Sequence, residues 1–357
     1  MVKKIIKLIC GLLVLILILF TLQRIVTPKY VSEAQDGRLI AEYYNSAMNH
    51  DVVFVGDCEV YENISPVTLW QEYGISSYVR GSPQQLIWHS YYLMEETLKY
   101  ETPKAFVFNV LSMKYGEPQS EAYNRLALDG MKWSSSKFHS IQASMMEDEE
   151  LISYVFPLLR FHSRWSELTG EDLKFAFKAP PQLSINGYLM RVDVDGVEKL
   201  RKGQELSDYS FNTICWDYLD KMRTLCEENG VELILMKAPT NTPQWYWYNQ
   251  WDEQIQSYAK EYGLRYYNFL NVTDEIGLDY MTDTYDQGGH LNLSGAEKLS
   301  KYFGKILTEE LELVDHKKDP AYSDIWDKLT EQYAQIRETQ EKLLKTNGKL
   351  TGFTGLE

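Results

Sequence analysis

The stretch Asp51-Val-Val-Phe-Val-Gly-Asp-Cys58 decides how the rest of the chain is read. Four β-branched or aromatic residues run together without a polar break and stop at Gly56. A short apolar run closed by glycine describes a strand buried on both faces, as in parallel sheets covered by helices, followed by a tight turn. On its N-terminal side a helix is expected over Gly37–Met48. On its C-terminal side Ser65-Pro66 opens a short helix, with serine in the capping position and proline in the first turn. Ile75–Val79 reads as a second strand, and Ala105–Val110, introduced by Pro103, as a third. Between them Leu86, Trp88, Tyr92 and Leu93 recur at helical spacing within Pro83–Leu98.

Residues 112 to about 206 break this rhythm and are predicted to form one long, mostly helical insertion. Regularity returns with a helix over Asp208–Glu228, closed by Asn229-Gly230, and a strand over Val231–Met236. A loop (Lys237–Pro243), a helix (Trp251–Tyr262) and a last strand (Arg265–Phe269) follow. The final core helix is expected over Ser294–Leu311, with Ser294 as its cap. Strands alternating with helices predict an α/β domain over residues 37–312, an open parallel sheet with helices on both faces. In such sheets ligands sit at the carboxyl ends of the strands. A further helix, within 320–346, carries Trp326, Leu329, Tyr333, Ile336, Gln340 and Leu343 as a stripe. The stripe suits packing back on the domain; a short coiled coil or partner contact is the alternative.

The N-terminus has its own message. Lys3, Lys4 and Lys7 flank an apolar run, Leu8–Leu22, broken only by Gly11 and Thr21. With Ile5 and Ile6 the run reaches about 18 residues, near the lower limit for a spanning helix. The lysines place residue 1 in the cytoplasm and the main domain outside, and residues 1–26 read as a stub and anchor. A cleaved signal peptide is the alternative, although Gln23, Arg24 and Ile25 offer no small-residue cleavage site. A net charge of −15 repels phosphodiester backbones and argues against nucleic acid as a partner. It also argues against broad ionic adhesion to anionic lipid, so membrane attachment falls to the apolar segment. The chain has four cysteines, and Cys10 lies in the anchor. Cys215 and Cys226 share one predicted helix at a separation of about 16 Å, too far for a disulfide. Cys58 is then an unpaired thiol in an extracytoplasmic domain, which is uncommon.

That thiol sits just past the first strand. At the other end of the domain, Tyr285-Asp-Gln-Gly-Gly-His-Leu-Asn-Leu-Ser-Gly-Ala296 places Asp286 and His290 on a glycine-rich loop ahead of the last core helix. A doubly wound sheet brings these two places to one edge. Nucleophile, general base and orienting carboxylate need that arrangement.

Gly56-Asp57-Cys58 resembles the Gly-Asp-Ser block of the SGNH (GDSL-type) esterases and acyltransferases. Asp286…His290-Leu291-Asn292…Gly295-Ala296 resembles their terminal Asp-x-x-His block. The chain is similar above all to the membrane-anchored branch of polysaccharide O-acetylation proteins and the D-alanylation protein of teichoic acid synthesis. The resemblance spans roughly residues 50–110 and 230–312, and the insertion matches no motif. It implies a three-layer, flavodoxin-like sheet and an extracytoplasmic acyltransferase or esterase acting on a cell-surface glycan. No cofactor is implied, while a membrane protein supplying the acyl group is. By the same resemblance Cys58 is the nucleophile, His290 the base and Asp286 its orienter. Gly81 and Asn109, with the Cys58 N–H, would form the oxyanion site. Asp57 either caps the helix after the first strand or takes part in the site.

Two departures stand out. Cysteine replaces serine; a helix N-terminus and a nearby histidine would lower its pKa, or the change marks an inactive scaffold that binds glycan. Asp286 and His290 are also separated by one residue more than in the family block, with Asp283 as the substitute orienter. Of the remaining candidates, Trp245, Tyr246, Trp247, Tyr248 and Trp251 suit either a sugar-stacking surface or a helix docked on the core. Arg160, His162, Arg164 and Trp165 suit an anionic or polyol ligand, or internal salt bridges. The histidines show no metal-ligand spacing.

Overall fold

The computed structural model describes residues 2–28, 37–178 and 182–352. Of the linker expected over 27–36, residues 29–36 lie outside them. Five parallel strands form one sheet: β1 (Val52–Gly56), β2 (Ser77–Gly81), β3 (Ala105–Asn109), β4 (Glu232–Lys237) and β5 (Arg265–Asn268), in the order β2-β1-β3-β4-β5. This is the doubly wound α/β fold with its reversal between β1 and β3, where the crevice at the carboxyl ends opens. Cys58 follows β1 and Asn109 ends β3.

Strand periodicity explains the layers, because alternate residues face opposite sides. Val52, Phe54, Val107, Ile234 and Met236 pack with helices Pro66–Tyr73 and Leu293–Leu311. Val53, Val55, Phe106, Phe108, Leu233 and Leu235 pack with helices Ile87–Thr97, Thr213–Asn229 and Asn249–Tyr262. Both faces of the central strands are therefore covered, as their unbroken apolar runs require. The C-terminal helix (Pro320–Asn347) lies on the first face. Its Trp326 is fully buried and stacks on Trp70 at 5.2 Å between centroids, so the stripe is a packing surface of the domain.

Several boundaries differ from the sequence reading. The helix expected over 37–48 is a short turn of α-helix (Arg38–Glu42) running into a 3-10 turn. β2 starts and ends two residues later than expected because Arg80 is a buried strand residue. The helix expected from Asp208 starts at Thr213, capped by the Asn212 side chain. In the insertion, helices end at Phe177 among the described residues. From 182 to 212 the chain is extended and turning, with an Asn186-Gly187 reversal at positive φ against the edge of the sheet. There Asn186 carbonyl accepts from Val79 N–H at 2.9 Å, and a Cβ on Gly187 would collide with the Val79 carbonyl. The cap of the last core helix is Asn292, accepting from Gly295 N–H at 3.2 Å, and not Ser294. Ser294 hydroxyl donates to Asp283 instead.

Candidate active site

The turn after β1 places the thiol. Gly56 has no room for a side chain, since a Cβ would meet Val60 and Asn109. The chain then enters a four-residue helix, Cys58–Tyr61, with Cys58 at its first position. Asp57 is its cap, accepting from Glu59 N–H at 3.1 Å. Burial, helped by the Glu59 charge, raises the Asp57 carboxyl to about 6.

The loop after β5 brings the histidine back. Asp286 accepts from His290 backbone N–H at 2.7 Å and from Nδ1 at 2.6 Å. The longer spacing is taken up by Gln287 and Gly288 in left-handed conformations, and a Cβ on Gly289 would meet the Asp286 carboxylate. A carboxylate on Nδ1 fixes the proton there, which leaves Nε2 as the acceptor of the neutral ring. Nε2 is buried and finds no partner of regular hydrogen-bond geometry among the described residues. On that side the thiol and the ring lie close enough to move each other's ionisation. Asp283 is engaged elsewhere, by Ser294 (2.7 Å) and Lys298 (2.6 Å), and does not orient the ring.

Two ties lock the loop to the thiol's helix. Fully buried Asn63 accepts from Leu291 N–H at 2.8 Å and donates to Thr240 at 3.2 Å. Buried Glu62, one helical turn after Cys58, accepts from the Tyr285 hydroxyl. Tyr285 in turn stacks on His290 at 5.8 Å, and Trp245 meets the ring edge-on, also at 5.8 Å. Within the aromatic cluster, Trp247 and Trp251 are buried in the core, while Trp245 faces the histidine.

The protonation states follow from burial and from these carboxylates. Burial pushes the Cys58 thiol up to about 11; His290 pulls it down, Asp57 pushes it further up, and burial wins. A four-residue helix has little macrodipole to set against this, so the expected lowering of the thiol pKa is corrected here. Burial alone would lower His290, but Glu62, Cys58 and the Asp286 hydrogen bond outweigh it and hold the ring well above the ordinary histidine range. At neutral pH the thiol is therefore protonated, and the ring must lose its proton before it can act as a base.

Asn109 does not have the role the resemblance implied. Its Nδ2 donates to Asp57 (3.2 Å) and Glu59 (3.0 Å), and its Oδ1 accepts from Ala238 N–H at 3.3 Å. With both N–H bonds spent on carboxylates, it has none left for an oxyanion. Gly81 pairs with Gly56, and a Cβ there would lie 3.1 Å from the Gly56 carbonyl and 3.3 Å from that of Asp57, so it borders the thiol's turn.

Sequence reasoning missed the charges beneath this turn. Lys237, fully buried at the end of β4, donates to both Glu59 oxygens at 2.8 and 2.9 Å and to the Ala238 and Thr240 carbonyls. Lys114, lowered by burial to about 8, is a second cation facing Asp57, Glu59 and Cys58. Of the basic cluster in the insertion, Arg160 pairs with Glu121, and Arg164 with Asp172 at 3.1 Å, so both serve internal salt bridges. The four cysteines are free, and no group of three potential ligands for a metal occurs among the described residues.

No curated protein matches the chain. A protein-family profile matches residues 196–312, the stretch holding β4, β5, the histidine loop and the last core helix. Among solved structures, a "putative acylhydrolase" from Bacteroides fragilis is similar at a TM-score of 0.38 and 10% identity, over 76% of this chain and 95% of that one. A likeness of this size speaks to neither activity nor substrate.

Proposed function

We propose that this chain is a membrane-anchored acyltransferase or esterase of the bacterial envelope, working through Cys58, His290 and Asp286. The observation that carries the reading is a thiol beside the acceptor nitrogen of a histidine whose other nitrogen is held by a carboxylate. Cys58 sulfur attacks the acyl carbonyl as its proton passes to His290 Nε2. The tetrahedral intermediate collapses, the ester oxygen leaves with that proton, and a thioester remains on Cys58. Water or an acceptor hydroxyl then attacks the thioester, gives its proton to His290, and the released sulfur takes it back. The Cys58 and Gly81 N–H groups are the oxyanion donors of this scheme, each worth a few kcal/mol in enzymes where one was removed.

The finer parts of the proposal are an O-acetyl group as cargo, a cell-surface glycan as acceptor and a membrane protein as acyl donor. Trp245 beside the histidine offers an aromatic face for a sugar ring. The N-terminal helix Val2–Val26 is long and apolar enough to cross a membrane, and the Lys3, Lys4 and Lys7 end is assigned to the cytoplasm. To test the function, the full chain in detergent is incubated with aryl acetates and acetylated glycans, and Cys58 peptides are searched for an acetyl mass. Turnover with a Cys58 thioester supports the reading; no turnover and no adduct removes it.

A second reading, a scaffold that binds glycan without turning it over, is favoured by the upward push on the thiol. Turnover separates the two, since a scaffold has none, and an enzyme working through His290 has a pH profile set by that ring. Glu62 raises His290, so Glu62→Gln lowers the ring's pKa, and the acid limb of kcat/KM shifts to lower pH. An unmoved limb means that Glu62 carries no charge beside the working base.

A further inference from the structure

The insertion contains helical pieces that the domain does not bury. Pro157–Phe161 and the 3-10 turn His162–Ser166 have no buried residue at all. Helices this short do not persist in water on their own propensity. Both touch the N-terminal helix, as does Gly170–Phe177. Together with Leu151–Val155 these pieces leave large apolar side chains in the open: Phe156, Leu159, Trp165, Leu173 and Phe177, the last 72% exposed.

Their height relative to a bilayer follows from the N-terminal helix. Ile5–Leu22 rises about 27 Å at 1.5 Å per residue, against a hydrocarbon core of about 30 Å. Only Gln23, Arg24 and Ile25 separate this run from Val26, which is already fully buried and whose carbonyl accepts from Arg164. The outer edge of the membrane therefore falls where the insertion meets the helix. Tryptophan at that level is a common interfacial anchor.

We propose that segment 152–177 is a lipid-docking surface, seated in the headgroup–acyl boundary of the same bilayer that Val2–Val26 crosses. This rests on reading Val2–Val26 as a membrane span. The contact is apolar, because Arg160 and Arg164 are engaged with Glu121 and Asp172 and the chain is acidic overall. Its consequence is a catalytic domain held against the membrane at two places, which fixes the direction its site faces.

Photocrosslinking of the full chain in phosphatidylcholine–phosphatidylglycerol vesicles tests this, with p-benzoylphenylalanine placed singly at Leu15, Phe177 or Tyr262. Tyr262 is exposed, on a helix away from the insertion. Lipid-mass adducts are expected at positions 15 and 177 and not at 262, with yields that do not fall at high salt. Adducts at 15 without 177 keep the span and overturn the docking surface. Crosslinks from 177 to a second copy of the chain also overturn it. Absence at 15 removes the span and, with it, the docking surface that rests on it.

Discussion

Cys58→Ala is expected to lose the acyl adduct completely and to lower ester turnover by about a thousandfold or more. Removing the nucleophile from a site whose members act as a unit costs nearly everything the unit supplies. Alanine fills less space than cysteine at a half-buried position, so folding should survive the change. The measurement is initial-rate ester hydrolysis alongside mass mapping of the residue-58 peptide. Equal turnover in wild type and variant would take Cys58 out of the chemistry, whereas no turnover in either would leave the scaffold reading. His290 would remain as a possible base for direct water attack only if the adduct were absent from wild type as well.

The second large effect is on stability. Lys237→Ala should destabilise the domain by about 3–5 kcal/mol, because it strands Glu59 as a buried, unpaired charge. Glu59 and Lys237 are nearly or wholly shielded from solvent, and Asn109 and Thr240 add their own hydrogen bonds to the carboxylate. Replacing the pair together, as Glu59→Leu with Lys237→Met, should recover part of the loss, since two apolar groups leave no orphan charge. Asn109 and Thr240 would still lose an acceptor, so recovery is incomplete. Denaturant midpoints of the three proteins measure this. A single variant as stable as wild type would mean that the pair is open to water. The location of the network gives it a further role. Glu59 and Asp57 share Asn109, so the ion pair supports the turn that carries the thiol.

What could be read from sequence divides along physical lines. β1 and β3 were legible because a strand covered on both faces must be apolar throughout, and Val52–Val55 and Ala105–Phe108 are. β2 and β4 were clipped or displaced where a charged residue is buried. Arg80 donates to Leu93 carbonyl and Thr97 hydroxyl and lies 3.9 Å over the Tyr43 ring, and periodicity has no means of foreseeing such partners. Lys237 read as loop for the same reason. The insertion looked helical to its end because amphipathic spacing does not reveal where a chain is tied along a sheet edge, as Asn186 ties it at β2.

At the site, chemistry-bearing residue types were visible and their engagements were not. Cys58, Asp286 and His290 stand out as an unpaired thiol and a glycine-flanked histidine block. Asn109 also stood out, yet its donors turn toward Asp57 and Glu59, acids that sequence spacing does not link to it. Glu62 and Tyr285 went unseen, because their hydrogen bond joins residues far apart in the chain. An acid one helical turn after the thiol was the available signal. The thiol's ionisation was misjudged because helix and histidine were weighed and burial was not.

The rate of Cys58 alkylation by iodoacetamide against pH, in wild type and in His290→Gln, tests most simply whether thiol and ring share a proton. His290 lowers the thiol's pKa against burial, so its loss should slow alkylation below the thiol's ionisation by about tenfold, one pKa unit, and shift the profile upward. Identical rates and profiles in the two proteins would show that ring and sulfur act apart.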